Sequence, residues 1–562
     1  VLKLSLKKNK TIETKYKMKL NYSFDKYKII FTLFVISYAI LYSLDGFDDA
    51  DRGYTLALSW RIFNGEIPYR DIILVRPPFS PLFHSIFLYF IPDNYEIIFD
   101  RYFCYFLFAA SSLFGALSIN KVFNLKSINL NPYLLATIGF VFSVHNYPAM
   151  GWHTIDAIFF ASIGIYILVN NSTVYSVIFG ILFLFFSGLC KQPFYLMSVL
   201  GILYVFLIHR NLRKTITAVF SLFFFIFIFV LILYQQEALQ SFINLTTGST
   251  NIKDLLNAGF KNYMNFSPIY LILPFGFWII TKKHLTIKNI SIKENLAPYF
   301  LISILLGFEV LKFVYHLAYK DVNYSYSFSD SVAKLFFVIT VFFLLENLSY
   351  KKEYITLWIL ISISWCASIS WGYKTPVLFS TPLLFGFLLV SNHYFGLKKV
   401  NTLALYSLLL GTITYFIAYQ KPYCNPIKQT LTYRIDDLFP KMKYINVSKE
   451  THDKYTEFYF LIKKYGTNYK TLPGMPLSNY LSNTKSPIKI DWVFNAETNN
   501  ENQSIINELT AKKTIIFMEK NPQFIHIENS KEKFNSSIAY FIKKNWMKID
   551  STKYFEIYRL KN

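Results

Sequence analysis

Residues 45–79 read DGFDDADRGYTLALSWRIFNGEIPYRDIILVRPPF and gather acidic and arginine side chains between two apolar runs. The run before this stretch is Tyr27–Leu44, and the run after it is Ile98–Leu117. Each run is long and apolar enough to cross a bilayer, which takes about 17–25 residues. We therefore predict a membrane protein whose first outer loop, residues 45–97, carries a concentration of charge.

The composition of the whole chain supports this prediction. Of its 562 residues, 53% are hydrophobic and only 16% are charged, which is too apolar for a soluble protein of this size. Uncharged apolar runs indicate about thirteen membrane spans, several of which are shorter than the roughly 17 residues that a full crossing takes. The predicted spans are Tyr27–Leu44, Ile98–Leu117, Asn131–Val144, Thr154–Val169, Val174–Leu189, Pro193–Ile208, Thr215–Tyr234, Ser267–Ile280, Ala297–His316, Val332–Leu345, Tyr354–Ile369, Pro376–Val390 and Thr402–Tyr419. The expected fold is an all-α polytopic membrane domain over residues 27–419.

Basic residues are concentrated in alternate loops. They occur in the tail 1–26 and around Lys121, Arg213, Lys283, Lys351 and Lys398. Such loops are cytoplasmic by the positive-inside rule. With an odd number of spans, loop 45–97 and residues 420–562 lie on the periplasmic side of the cell inner membrane. Because membrane topology accounts for the net charge of +23, no nucleic-acid partner is predicted.

Residues 420–562 are richer in Lys, Asn, Ser and Thr than the preceding spans. Helical periodicity over Tyr455–Lys464, Gln503–Ala511 and Asn535–Lys544 alternates with strand-like runs. These runs are KIDWVF (489–494), TIIFM (514–518) and the hairpin pair WMKID (546–550) and YFEIYRL (554–560). The alternation predicts a small C-terminal α/β domain. The four cysteines are scattered, and no metal-ligand motif occurs.

The first outer loop has local signals of its own. The sequence after Asp51 is compatible with a helix that ends at Asn64 and Gly65, which is too short to span and is predicted to lie at the interface. Pro77 and Pro78 start a second apolar helix. The loop is therefore expected to return Arg76 to the neighbourhood of Asp51.

An acid and an arginine at a bilayer surface suit an enzyme that uses a lipid-phosphate-linked substrate. The carboxylate takes the proton of an acceptor hydroxyl, and the arginine binds the phosphate through paired donors. The same arginine neutralises the charge that grows as the phosphate leaves. A phosphate leaving group needs no proton donor, so a single carboxylate suffices.

The pattern DRGYTLALSWRIFNGEIPYRD…RPPFSPLF resembles the first periplasmic loop of the GT-C glycosyltransferases of the protein-mannosyltransferase and aminoarabinose-transferase group. GWHTIDAIFF (151–160) and GLCKQPF (188–194) extend the resemblance. The resemblance implies that Asp51 is the catalytic base and that Arg76 binds the donor phosphate. It also implies roles for Asp156, at the head of the fourth span, and for Lys191, near the lipid phosphate.

The sequence departs from this family at two positions. Arg52 stands where many relatives have Glu, and Val75 replaces a Glu that is a metal ligand in aminoarabinose transferases. No metal and no other cofactor is therefore predicted, although a divalent metal remains possible. Arg52 is retained as a candidate substrate-binding residue.

Several candidate residues have a structural alternative. Asp48 and Asp49 either bind substrate or cap a helix, and Asp51 itself could serve as a cap. Arg76 either binds phosphate or reaches to lipid headgroups. His153 and Asp156 share one helical face at a span entrance, where they bind substrate or form an interfacial hydrogen bond. Lys191 faces outward against the positive-inside trend, which favours an anion-binding role.

These observations predict a membrane glycosyltransferase with a polyprenyl-phosphate sugar donor. The acceptor is a lipid, a glycan or a protein at the periplasmic face, and membrane lipids surround the enzyme. One alternative is a lipid-linked glycan polymerase or ligase that uses a lipid-diphosphate donor. The other is a transporter or flippase of lipid-linked or anionic solutes, against which intramembrane charges are few.

Overall fold

The computed structural model describes residues 25–144, 150–248, 256–257, 259–261, 263, 297–318, 330–347, 351–370, 375–397 and 399–561. For Asp51 and Arg52 it describes the backbone alone. The predicted span Ser267–Ile280 and the basic loop around Lys283 lie outside the described residues, as do positions 1–24 of the predicted cytoplasmic tail.

The described part of the chain before residue 420 is helical. Its first ten α-helices are α1 (Lys26–Tyr42), α2 (Asp51–Phe63), α3 (Phe79–Ser85), α4 (Glu96–Phe123), α5 (Pro132–Val144), α6 (His153–Asn170), α7 (Val174–Cys190), α8 (Tyr195–Tyr204), α9 (Leu212–Gln235) and α10 (Leu239–Gly248). Five more follow, α11 (Ala297–Ala318), α12 (Asp330–Glu346), α13 (Lys352–Ser368), α14 (Thr381–Phe395) and α15 (Val400–Ala418).

Each predicted span within the described residues falls on one of these helices. Five helical segments in this part of the chain are long and apolar enough to cross a membrane by length and composition. They are Asp93–Phe123, His153–Asn170, Gln192–His209, Leu212–Gln235 and Val400–Ala418. The chain thus contains several apolar helices that fit a membrane protein, but a count of thirteen spans is not confirmed.

Helices α6 and α7 pack closely because each has a glycine at their crossing. A Cβ atom on Gly164 would lie 2.9 Å from the carbonyl oxygen of Gly180. This close contact brings the ends of the two helices together, so that Lys191 at the end of α7 lies beside Thr154 in the first turn of α6. The pairing of these helices therefore builds one wall of the candidate site.

Residues after 420 form the small α/β domain that the sequence predicts. Its strands are β1 (Tyr469–Leu472), β2 (Ile515–Glu519), β3 (Met547–Ser551) and β4 (Phe555–Arg559), in the order β1-β2-β4-β3. The pair β1 and β2 is parallel, and the other pairs are antiparallel. The helices of this domain are α16 (Lys449–Tyr465), α17 (Ser478–Leu481), α18 (Asn495–Thr498), α19 (Asn502–Ala511) and α20 (Ser537–Asn545).

The predicted hairpin and the predicted strand TIIFM are confirmed as β3–β4 and β2. The predicted strand KIDWVF is wrong, because this segment packs against the first outer loop instead of joining the sheet. Its Lys489 carbonyl accepts a hydrogen bond from the Ile73 amide at 2.7 Å, and Trp492 contacts the Tyr54 ring. Strand β1 was not predicted, because its four residues include the polar but fully buried Lys470 and Thr471.

The C-terminal domain covers the first outer loop. A Cβ atom on Gly53 of α2 would lie 2.1 Å from Leu477, so glycine is required for this close approach. Arg61, also on α2, pairs with Glu66 at 2.5 Å and with Asp491 of the domain at 3.2 Å. Described side chains of α2 from residue 54 to 61 are buried. The helix predicted to lie at the membrane interface is therefore covered by protein on its domain side.

Topology is tested by fusing alkaline phosphatase, which is active only outside the cytoplasm, at two positions. We expect activity in a fusion after Tyr419 and none in a fusion after Lys399, because the basic residues around Lys398 keep that loop in the cytoplasm. The two sites flank a single helix, α15, so each fusion controls the other. The reverse pattern would place the C-terminal domain in the cytoplasm and contradict the predicted orientation.

Candidate functional site

Arg76 lies where the first outer loop, α2 and the C-terminal domain meet. Its Nη1 donates to Oε2 of Glu497 at 2.8 Å, and its Nη2 lies 2.5 Å from Oε1, so the ion pair contains one hydrogen bond and a second close charge contact. The guanidinium also lies 5.5 Å from the ring centroid of Tyr54. The Tyr54 hydroxyl donates to the same Oε2 atom at 3.0 Å. The predicted return of Arg76 to the start of α2 is thus present in the fold.

Lys191 lies on the membrane-domain side of this junction. It is buried, and its Nζ donates to Oγ1 of Thr154 at 3.0 Å. Burial, together with the positive charge of Arg76, lowers the pKa of Lys191 to about 7. The next residue, Gln192, donates from Nε2 to the Val75 carbonyl at 2.8 Å, which ties this turn to the segment that carries Arg76. Lys191 therefore titrates near neutral pH, beside a permanent cation.

His153 completes a group of three basic side chains, which we call the basic cluster: Arg76, His153 and Lys191. His153 is the first residue of α6, is buried, and has its ring 4.3 Å from that of Trp152. It lies within electrostatic range of both Arg76 and Lys191. The basic cluster comprises one guanidinium, one amine and one imidazole, and of these Arg76 pairs with the carboxylate of Glu497. This composition suits an anion.

Asp51 is the first residue of α2, one turn before Tyr54. Residues three apart share a helical face, with Cβ atoms about 5–6 Å apart. The backbone of α2 therefore begins next to the residue that touches Arg76. The side chains of Asp51 and Arg52 lie outside the described residues, so their roles as base and substrate ligand remain predictions.

Asp48 and Asp49 make structural contacts. Oδ1 of Asp48 accepts from the Ala50 amide at 3.1 Å, which closes a turn just before α2 begins. Oδ2 of Asp49 accepts from Lys454 at 2.7 Å and from the Tyr455 hydroxyl at 3.2 Å. Neither residue is the N-cap of α2, which is Ala50, but both make contacts within the protein, and those of Asp49 attach the loop to helix α16.

Asp156 belongs to a separate buried network. Its Oδ1 lies 3.1 Å from Nε2 of His84, and its Oδ2 accepts from the Ser80 hydroxyl. Nδ1 of His84 lies 2.9 Å from Oδ1 of Asp100, whose other oxygen accepts from the Gly151 amide at 2.8 Å. Asp156 is completely buried, so in this structure it binds α3 to α6 instead of facing a substrate.

Sequence reasoning missed His84 and Asp100. A weak signal existed, since Ser80 and His84 are four residues apart on a short apolar helix and therefore share one face. Asp100 sits within a predicted span, where an ionisable residue usually has a partner. Nothing in the sequence pairs these positions with Asp156, because the three side chains come from three different helices.

The charge state of His84 gives a stability prediction. Burial lowers the pKa of His84, but the Asp156 charge and the bonds to Asp100 and Asp156 outweigh it and raise the pKa from 6.5 to about 10. A raised pKa contributes stability that is complete below pH 6.5 and is lost as the pH rises toward 10. We expect the thermal unfolding temperature of the detergent-solubilised protein to fall over this range.

The matched variants for that experiment are His84→Gln and His452→Gln. Removing His84 should abolish this part of the pH slope and lower stability by about 3–5 kcal/mol, because two buried carboxylates lose their cation. His452 pairs with its neighbour Asp453 in a partly exposed position, so its replacement should leave the slope unchanged. A slope that persists without His84 would contradict the assignment.

No group of three His, Cys, Asp or Glu side chains within the described residues is arranged to hold a metal ion. The position of the family's metal-ligand Glu is taken by Val75, which is buried. We predict that protein treated with a chelator keeps its activity. Loss of activity that zinc or magnesium restores would show that a ligand set exists elsewhere in the chain.

No protein-family model matches this chain, and no curated protein sequence matches it.

Proposed function

We propose that the protein is an integral-membrane glycosyltransferase that transfers a monosaccharide from a polyprenyl-phosphate donor. The acceptor is a hydroxyl of a lipid, glycan or protein on the periplasmic face of the inner membrane. The observation that carries the proposal is the basic cluster, whose Arg76 lies against Tyr54 in the first turn of α2 and whose Lys191 and His153 lie at the ends of apolar helices. The phosphate of a polyprenyl-linked donor reaches the basic cluster while its hydrocarbon chain lies among the apolar helices.

The proposed reaction is a single displacement with inversion. The acceptor oxygen attacks the anomeric carbon, and the bond between that carbon and the phosphate oxygen breaks. Its electron pair leaves with the polyprenyl phosphate, and the acceptor proton passes to the carboxylate of Asp51. The products are the glycosylated acceptor and polyprenyl phosphate, and no further reactant is needed.

Arg76 and Lys191 supply the electrostatic part of this mechanism. The charge on the phosphate grows from about −1 in the diester toward −2 in the monoester as the sugar leaves. A cation that touches the phosphate stabilises this change more in the transition state than in the bound donor. The pKa of Lys191 is about 7, so a nearby phosphate favours the protonated amine, which takes its proton from water and adds positive charge beside the phosphate.

The decisive experiment identifies the lipid and follows its turnover. Lipids that co-purify with the wild-type protein are analysed by mass spectrometry, and the purified protein is then given the lipid found. We expect a polyprenyl-monophosphate sugar that is consumed with release of polyprenyl phosphate. A lipid-diphosphate donor would indicate a polymerase or ligase, and a lipid that crosses vesicle membranes unchanged would indicate a flippase.

A further inference from the structure

We infer that Glu497 sets which phosphate the site retains, because its carboxylate occupies the Arg76 guanidinium until a phosphate displaces it. The inference rests on the proposed function and adds a specificity-determining residue to it. Glu497 comes from the C-terminal domain and is 421 positions from Arg76 in the sequence.

The Glu497 carboxylate occupies the terminal nitrogens of Arg76, with one hydrogen bond and one close charge contact, at the place where a phosphate would bind. Both terminal nitrogens of Arg76 face the two carboxylate oxygens at 2.8 and 2.5 Å, and a phosphate binds arginine through the same paired donors. Glu497 is 1% exposed and Arg76 is 17% exposed. A ligand therefore reaches the arginine from its open side and competes with a carboxylate that is held from behind.

The Tyr54 hydroxyl holds that carboxylate in place, because it donates to Oε2 at 3.0 Å. The same tyrosine ring lies beneath the guanidinium, so Tyr54 contacts both members of the pair. On the domain side, Nδ2 of Asn499 donates to the Asn244 carbonyl at 3.1 Å and to the Leu245 carbonyl at 3.2 Å. Short helix α18 is thus anchored to α10, and Glu497 stays near the site when its pair with Arg76 opens.

A fixed carboxylate beside the basic cluster discriminates between phosphates by charge. Coulomb repulsion is proportional to the charge on the ligand, so Glu497 opposes a dianion about twice as strongly as a monoanion. The sugar donor is a phosphodiester of charge about −1, and the lipid product is a monoester of charge about −2 above pH 7. Glu497 therefore weakens the binding of product more than that of donor, which favours product release.

The test compares two probes that differ in charge and by one methyl group: farnesyl phosphate, a monoester, and farnesyl methyl phosphate, a diester. Their dissociation constants are measured by titration calorimetry at pH 8 with wild-type, Glu497→Gln and Arg76→Ala proteins. In Glu497→Gln we expect the monoester to bind about tenfold more tightly and the diester about threefold more tightly. Arg76→Ala should lose most of the binding of both probes.

Two further variants separate this role from a structural one. Glu519→Gln removes another buried carboxylate of the same domain, paired with Lys454 at 2.6 Å, and should leave both constants unchanged. Tyr54→Phe keeps the ring beneath Arg76 but frees the carboxylate, so it should tighten monoester binding by a smaller factor than Glu497→Gln. Should Glu497→Gln fail to fold, Tyr54→Phe still tests the direction of the effect.

The outcomes distinguish the inference from the proposed function. Arg76-dependent binding that is equal or weaker in Glu497→Gln, or that changes by the same factor for both probes, overturns the inference and leaves the function intact. Probe binding that does not depend on Arg76 in any variant overturns both. The expected pattern, a larger gain for the monoester, supports the charge-selective role of Glu497.

Discussion

Asp51→Asn is expected to lower the transfer rate of the purified protein by about 10²–10⁴-fold while leaving its amount and its unfolding temperature unchanged. Asparagine keeps the shape of the side chain but cannot accept the acceptor proton. Asp51→Asn should not remove a helix cap, because Ala50 is the N-cap residue of α2 and the Asp48 carboxylate accepts from its amide. The measurement is single-turnover release of polyprenyl phosphate at saturating donor.

The neighbouring acids are the controls for Asp51. Asp49→Asn removes the charge that pairs with Lys454, and Asp48→Asn weakens the turn before α2. Both should reduce thermal stability more than turnover, since their contacts are within the protein. If Asp51→Asn protein turns over donor at the wild-type rate while either control is inactive, the base is one of those acids and the assignment fails.

Arg76→Ala is expected to reduce kcat/KM by about 10²–10³-fold, because it removes a cation that touches the charge developing on the phosphate. Arg76→Lys should retain part of the activity, since a point charge still attracts phosphate but lacks the paired donors. Initial rates of the wild-type, Arg76→Lys and Arg76→Ala proteins are compared over a range of donor concentrations.

The structure adds a complication that the experiment must control. Removing Arg76 leaves Glu497 buried without its main cation, which alone can destabilise the protein by about 3–5 kcal/mol. The double variant Arg76→Ala/Glu497→Gln removes both charges and should recover stability without recovering activity. Recovery of activity in the double variant would show that Arg76 serves only to neutralise Glu497 and is no phosphate ligand.

The parts of the fold that were predictable depend on local pattern. Apolar runs locate helices such as α4 and α9, and alternation locates the β3–β4 hairpin, because both signals are contained in a short window of sequence. The helix that starts at Asp51 and ends before Asn64 was predicted from its termini. The predicted strand KIDWVF was wrong because alternation of apolar and polar residues indicates burial on one face. Burial against a loop gives the same pattern as burial in a sheet.

The site was predictable only in part, for a related reason. Arg76 and α2 lie in one loop, so their approach follows from two short helices and the turn between them. Glu497 is one acid among many in a polar segment, and nothing local marks it as the partner of Arg76. Asp156 was predicted as a site residue because it lies at the start of a helix. Its contact with His84 depends on how three helices pack, and no local pattern in the sequence indicates that packing.

The Arg61–Asp491 ion pair has a consequence for biogenesis. Its two members are 430 positions apart, which corresponds to roughly 20–90 s of translation at 5–20 residues per second. During that interval Arg61 of the first outer loop lacks the Asp491 carboxylate, its ion-pair partner from the C-terminal domain. A nascent chain halted anywhere before residue 491 can insert its helices and still never complete the loop. The final fold of the first outer loop therefore depends on synthesis of the segment around Asp491 in the C-terminal domain.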